Sequence, residues 1–122
     1  MDVIGYREDE QTFLELVRQL LTEEESQLRL GTGYLNIQKE LFAELMRSKS
    51  SIELLTSSPK ANGFYQAGRV KKFIPGLYRC NELNMLKAFN ALPKEGRPSD
   101  FGIYEYLNGD WTFHGKGAWL YE

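Results

Sequence analysis

The chain has 122 residues and a mass of 14.1 kDa, is 42% hydrophobic and 26% charged, and carries a formal net charge of −2. That composition suits one folded domain and excludes wholesale disorder or collagen-like structure. One cysteine (Cys80) excludes an internal disulfide and a thiolate zinc cluster, and one histidine (His114) argues against a His-based metal site.

No apolar run reaches the roughly 18 residues of a membrane span. Charge is unevenly spread: residues 1–26 hold eight acids against two bases, whereas residues 27–80 hold nine bases against three acids. A basic middle segment favours anionic ligands, phosphate esters or acidic lipid headgroups; it also fits a solvated surface whose charges cancel in three dimensions. The first ten residues have no basic region followed by an apolar run, and are acidic where a mitochondrial presequence is Arg-rich, so no targeting peptide is expected there.

Residues 10–26 read as an amphipathic helix, with Phe13, Leu16, Val17, Leu20 and Leu21 on one face and acids on the other. That polar face is acidic, so the stripe suits core or interface rather than a membrane anchor. Gln27–Leu30 is a strand running into Gly31-Thr32-Gly33-Tyr34-Leu35-Asn36. Asn36 is the expected cap of the next helix, which carries Ile37, Leu41, Leu45 and Met46. Ser51–Thr56 is a second strand, followed by a loop from Ser57 to Gly63.

Ala67, Val70, Phe73 and Ile74 predict a third helix stopped by Pro75-Gly76, and Glu82 to Ala91 a fourth. After a loop over residues 93–98, Gly102–Leu107 and Trp111–Tyr121 predict a hairpin turning at Asn108-Gly109-Asp110. Helices interleaved with strands indicate an α/β layer architecture.

The most pointed stretch is Trp111-Thr112-Phe113-His114-Gly115-Lys116-Gly117-Ala118-Trp119. On a strand, Thr112, His114 and Lys116 share one face, and Trp111, Phe113 and Trp119 can bury themselves on the other. An imidazole beside an ammonium group, with glycines flanking the Lys, suits a phosphate ester: Lys holds the oxygens while His attacks phosphorus or moves a proton near neutral pH. As a bare pattern His-x-Lys is weak, and a partly exposed strand His beside a solvated Lys accounts for it as well.

Three stretches together resemble the eukaryotic, mitochondrial-type phosphatidylglycerophosphate synthases of the phospholipase D superfamily. They are Gly31–Asn36; Leu54–Pro59 with Asn62-Gly63-Phe64-Tyr65 and Ile74-Pro75; and Gly109–Gly117 with Trp119. The resemblance covers roughly residues 26–122. It implies an α/β fold, a partial phospholipase D-like half-domain with a mixed sheet and flanking helices. Residues 1–25 would be an N-terminal amphipathic helix segment, and 26–122 an incomplete second domain ending just after its His-x-Lys strand.

The family enzyme joins two such halves around one site, so the first half, or a second copy, would be needed to complete it, and the chain alone is expected to be inactive. Tyr121 stands where many superfamily members carry Asp, a position at which this synthase branch is itself degenerate. The implied reaction is phosphatidyl transfer from CDP-diacylglycerol to sn-glycerol-3-phosphate, giving phosphatidylglycerophosphate for phosphatidylglycerol and cardiolipin synthesis.

By the resemblance His114 is the acid–base partner and Lys116 the phosphoryl clamp, without cofactor or metal. Lys60, Asn62, Gly63 and Arg69 are candidate substrate-binding residues, although Asn62-Gly63 also suits a plain turn. Arg69, Lys71 and Lys72 suit an anionic lipid surface, the acceptor phosphate or a solvated helix face. Tyr34 reads as the end of a strand and Cys80 as a buried or incidental thiol. No nucleic acid is expected as partner, and the implied location is peripheral on the mitochondrial inner membrane. Two other readings stay open: a self-associating phosphodiesterase or nuclease, and a non-catalytic anion-binding remnant.

Overall fold

Strands place every second side chain on the same face, and here that alternation decides which side of the sheet is covered. The computed structural model describes residues 11, 12, 15, 17–19 and 26–121 and forms one four-stranded sheet in the order β3-β2-β1-β4. The strands are β1 (Gln27–Thr32), β2 (Ser51–Ser57), β3 (Asp100–Tyr106) and β4 (Lys116–Tyr121). β2 is parallel to both β1 and β3, and β4 runs antiparallel to β1. The register sets Leu28 opposite Ile52 and Leu120, and Ile52 opposite Phe101. Leu54 likewise lies between Leu30 and Ile103, so one face becomes a continuous apolar layer.

Two helices cover that layer, α1 (Lys39–Arg47) between β1 and β2, and α2 (Ile74–Ala91) between β2 and β3. The three parallel strands step the same way across the sheet, so right-handed crossovers put both helices on one side. Phe42 of α1 and Phe89 of α2 accordingly meet the same ring, Phe101, at centroid distances of 6.5 and 5.3 Å. Leu35, Leu45, Ile52 and Leu54 are fully buried between the layers. Each such side chain stabilises the fold by about 1.5–3 kcal/mol before entropy is counted. Arg97 closes the end of α2, donating to the carbonyls of Phe89 and Leu92 at 3.2 and 3.1 Å while its guanidinium lies over the Phe89 ring.

The α/β architecture with a mixed sheet and flanking helices stands as expected, but several details differ. Strands β3 and β4 do not form a hairpin; they occupy opposite edges of the sheet. The turn at Asn108-Gly109-Asp110 does form, with Trp111 N–H donating to the Asn108 carbonyl and Gly109 at φ +55°. Beyond it the chain crosses the sheet, because the free edge of β1 is where Leu120 can face Leu28. β4 is also shorter than expected: residues 111–115 are not strand, Trp111 and Trp119 are largely exposed, and the aromatic side of the motif is not buried.

Pro75-Gly76 starts a helix instead of stopping one. A 3₁₀ turn at Lys71–Phe73 leads into α2, and Pro75 sits in the first turn, where its missing N–H would have no partner anyway. The two helices expected over residues 67–74 and 82–91 are therefore one helix preceded by turns. Asn36 is not a cap: α1 begins after Gln38, with no side-chain capping bond. Cys80 is exposed.

In the N-terminal segment, residues 11, 12, 15 and 17–19 are helical, Val17 packs against the core, and Arg18 pairs with Glu44 at 2.9 Å. Phe13, Leu16, Leu20 and Leu21, and residues 1–10, lie outside the described residues. The second face of the sheet has no helix over it among the described residues. There Arg29 pairs with Glu53 at 2.7 Å and lies over the Tyr121 ring, beside exposed Leu55, Tyr104 and Trp119.

Candidate functional site

The parallel strands deliver their carboxyl ends to one edge of the sheet, where an open α/β sheet ordinarily binds ligands. Three loops meet at this edge: residues 33–38 after β1, 58–70 after β2, and 107–115 crossing from β3 to β4. Backbone bonds tie them together. Ser58 N–H donates to the Tyr106 carbonyl at 2.9 Å, and Phe113 N–H to the Ala61 carbonyl at 3.0 Å. The Ser57 hydroxyl donates to the Gly33 carbonyl, and the Phe113 ring stacks on Tyr106 at 5.1 Å.

Two glycines make the approach possible. A Cβ at Gly33 would lie 2.6 Å from the Phe113 carbonyl oxygen and 3.1 Å from the His114 Cα, so the crossing loop rests directly on the backbone after β1. A Cβ at Gly63 would lie 2.7 Å from the Tyr34 hydroxyl, 3.2 Å from His114 Cε1 and 3.4 Å from Nε2. The space that Gly63 leaves open is thus bordered by a phenol and by an imidazole nitrogen. Tyr34 meets His114 edge-on at 5.7 Å and also packs against Phe64 and Tyr78, at 5.5 and 5.6 Å. Neither ring nitrogen of His114 is engaged by another side chain among the described residues.

The expected site residues separate into groups. His114 and Gly63 come together, with Lys60 exposed on the same loop as Gly63. Lys116, exposed, opens β4 opposite Thr32; because His114 precedes the strand, strand alternation does not relate the two side chains. Asn62 is buried and its side-chain oxygen accepts from Phe64 N–H at 2.9 Å, so that oxygen shapes the loop. Arg69 is exposed further along, and no hydrogen bond or ion pair brings it to the cluster.

Tyr34, read from sequence as the end of a strand, borders the cleft. The alternating glycines of Gly31-Thr32-Gly33 were a usable signal for it, since glycine at a strand end often marks close approach of another chain segment. No group of three or more metal-ligating side chains occurs among the described residues. None of the described helices is long and apolar enough to cross a membrane.

Further along α2 from Tyr78, Arg79 forks onto Glu105 of β3, with Nε 3.1 Å from Oε2. Glu82 is buried beside this pair. Burial first, and then the Glu105 carboxylate and a hydrogen bond to it, push the Glu82 carboxyl up to about 7, against the opposing pull of Arg79. This carboxyl pair links α2, one wall of the aromatic cluster, to the strand that feeds the crossing loop.

No protein-family model matches the chain. Over 104 residues, 84% of its length, it is 35% identical to the mitochondrial CDP-diacylglycerol–glycerol-3-phosphate 3-phosphatidyltransferase of Bos taurus. The Homo sapiens protein of the same name is 34% identical over the same length, and the CDP-diacylglycerol–glycerol-3-phosphate 3-phosphatidyltransferase of Schizosaccharomyces pombe, whose name carries no location, 29% over 111 residues, or 91% of the chain. The chain spans only about a fifth of these relatives, 18% of the mammalian proteins and 21% of the yeast one. Its fold is also that of a solved phosphatidylserine synthase from Haemophilus influenzae Rd KW20, with a TM-score of 0.68 at 23% identity, over 86% of this chain and 24% of that one.

Proposed function

We propose that the chain forms one half of the active site of a phosphatidyltransferase that uses CDP-diacylglycerol and glycerol-3-phosphate, in the manner of the phospholipase D superfamily, at a mitochondrial membrane. The observation that carries the reading is the convergence of His114, Gly63 and Tyr34 at the carboxyl edge of the sheet, in a chain similar over 84% of its length to the named transferases.

A nucleophilic histidine from the other half attacks the phosphorus, and the bond from phosphorus to the CMP oxygen breaks. His114, as imidazolium, gives its proton to that oxygen. In the second step neutral His114 takes the proton from the glycerol-3-phosphate hydroxyl as its oxygen displaces the first histidine, which leaves with the phosphorus–nitrogen electron pair. Lys116 and Lys60 supply positive charge for the phosphoryl oxygens, and the Tyr34 hydroxyl a donor beside the space over Gly63.

His114 is the only histidine, so its imidazole resonances form a single reporter of the site. Added CMP is expected to move them, while adenosine, which lacks the phosphate, is not. No response to CMP overturns the reading. Phosphatidylglycerophosphate made by the chain alone overturns the half-site assignment in favour of a self-completing enzyme.

A further inference from the structure

Val70, Phe73 and Leu77 are 80%, 64% and 63% exposed, an unusual clustering of apolar side chains in eight residues of sequence. They lie on the turn before α2, on the 3₁₀ turn and on the first turns of α2 itself. Spacings of three and four residues set them in one stripe along such a segment. The cations Arg69, Lys71 and Lys72 lie beside it, and from residue 54 to residue 81 the sequence contains no acid. Lys72 Nζ rests over the Phe73 ring at 5.2 Å, while Arg69 and Lys71 pair with no acid among the described residues.

We propose that this stripe is the surface by which the site docks on an anionic lipid bilayer, with Val70, Phe73 and Leu77 entering the interface and the flanking cations meeting headgroup phosphates. It deepens the function proposed above by naming the surface that presents the lipid. Binding to the bilayer, however, requires no chemistry at His114. Three large side chains are few for a protein partner, since a stable protein interface takes some 20–30 residues a side. A narrow apolar stripe bordered by cations is the pattern of an interfacial segment.

The stripe also reaches the site. Leu77 and Ile74 line a hollow of about 210 Å³ with Asn36, Tyr78 and Asn81. Tyr78 in turn packs on Tyr34, which meets His114. A lipid held by its tails below Leu77 would therefore present its phosphate along that aromatic wall.

Flotation of the 122-residue chain with phosphatidylcholine vesicles, with and without phosphatidylglycerol, tests the surface. The chain is expected to float only with the anionic vesicles. The Val70→Ser/Phe73→Ser variant should bind at least tenfold more weakly at both low and high salt. Lys71→Gln/Lys72→Gln should lose roughly 25-fold at low salt alone, at about fivefold per cation. Leu83→Ser, at an exposed position outside the stripe, should bind as the parent does.

Independently of any variant's folding, an environment-sensitive fluorophore on Cys80, the only thiol and three residues beyond Leu77, should shift to the blue on anionic vesicles. The proposal is overturned if the unaltered chain fails to float, or if Leu83→Ser loses as much as the double apolar variant. Self-association that Val70→Ser/Phe73→Ser abolishes, with vesicle binding intact, also overturns it. Vesicle binding without a response of His114 to CMP would sink the proposed function and leave this surface standing; a response to CMP without vesicle binding would do the reverse.

Discussion

The helix-covered face of the sheet and its carboxyl edge are held together by different means. On the covered face, Leu28, Ile52, Leu54 and Phe101 sit in register on neighbouring strands and meet Leu45, Met46 and Phe89 from the helices. Stability there comes from apolar area and close packing. At the edge the contacts are backbone hydrogen bonds, a serine hydroxyl, tilted rings and two glycines. A face built from area resists change at every position. An edge built from close approach is sensitive at a few positions and open elsewhere, as a site that must admit a ligand requires.

The largest effect should come from the covered face. Leu54→Ala removes a fully buried side chain between β1 and β3 and is expected to cost roughly 2–5 kcal/mol, read by denaturant unfolding. Next comes a point of the edge where two backbones are packed directly against each other. In Gly33→Ala the new methyl meets the Phe113 carbonyl and the His114 Cα, which cannot swing aside as a side-chain end can. It should cost about 1–3 kcal/mol and displace the crossing loop, moving the His114 resonances even without ligand. A neutral outcome at Gly33 would mean that the crossing loop is not seated on β1's exit.

The same division explains what could be read from the sequence. Leu28, Leu30, Ile52 and Leu54 follow a period of two, which places β2 to within one residue and β1 to within two, because burial on one face imposes that period directly. The partner of β4 was not legible. Asn108-Gly109 reports a local turn and says nothing of which strand edge is free, and it is the vacancy beside β1 that settles the pairing. Pro75 misled for a related reason: its rigid ring both ends and begins helices, and the choice depends on Lys71–Phe73 already being wound. At the site, His114 and Gly63 were legible as residue types; for Tyr34 only the flanking glycines hinted at close approach, since its neighbours come from two separate loops and from α2.

Between face and edge stands buried Glu82, beside half-buried Glu105. The native chain keeps a proton on Glu82 up to about pH 7, where an unfolded carboxyl has already lost it near its ordinary 4.5. The folded state therefore binds more protons in that window, and this group's contribution to stability falls as the pH rises from about 4.5 through 7. Glu82→Gln stays neutral throughout. It should be more stable than the parent at pH 8 by on the order of 1 kcal/mol and equal to it near pH 4.5, read from unfolding at the two pH values. Equal gains at both would assign the effect to packing rather than charge.

The smallest change in stability should belong to Gly63→Ala, and it separates the two regions most sharply. The added methyl would lie as near to its neighbours as the one at Gly33, 2.7 Å from the Tyr34 hydroxyl against 2.6 Å from the Phe113 carbonyl. At Gly63, however, the neighbours are a phenol tip and the ring of exposed His114, and both can turn away. Stability should change by no more than about 0.5 kcal/mol. The space bordered by imidazole and phenol is filled all the same, so the response of His114 to CMP should weaken at least tenfold while the fold persists. If Gly63→Ala instead destabilises as much as Gly33→Ala, the edge is as tightly packed as the covered face, and the opening above Gly63 is not a ligand site.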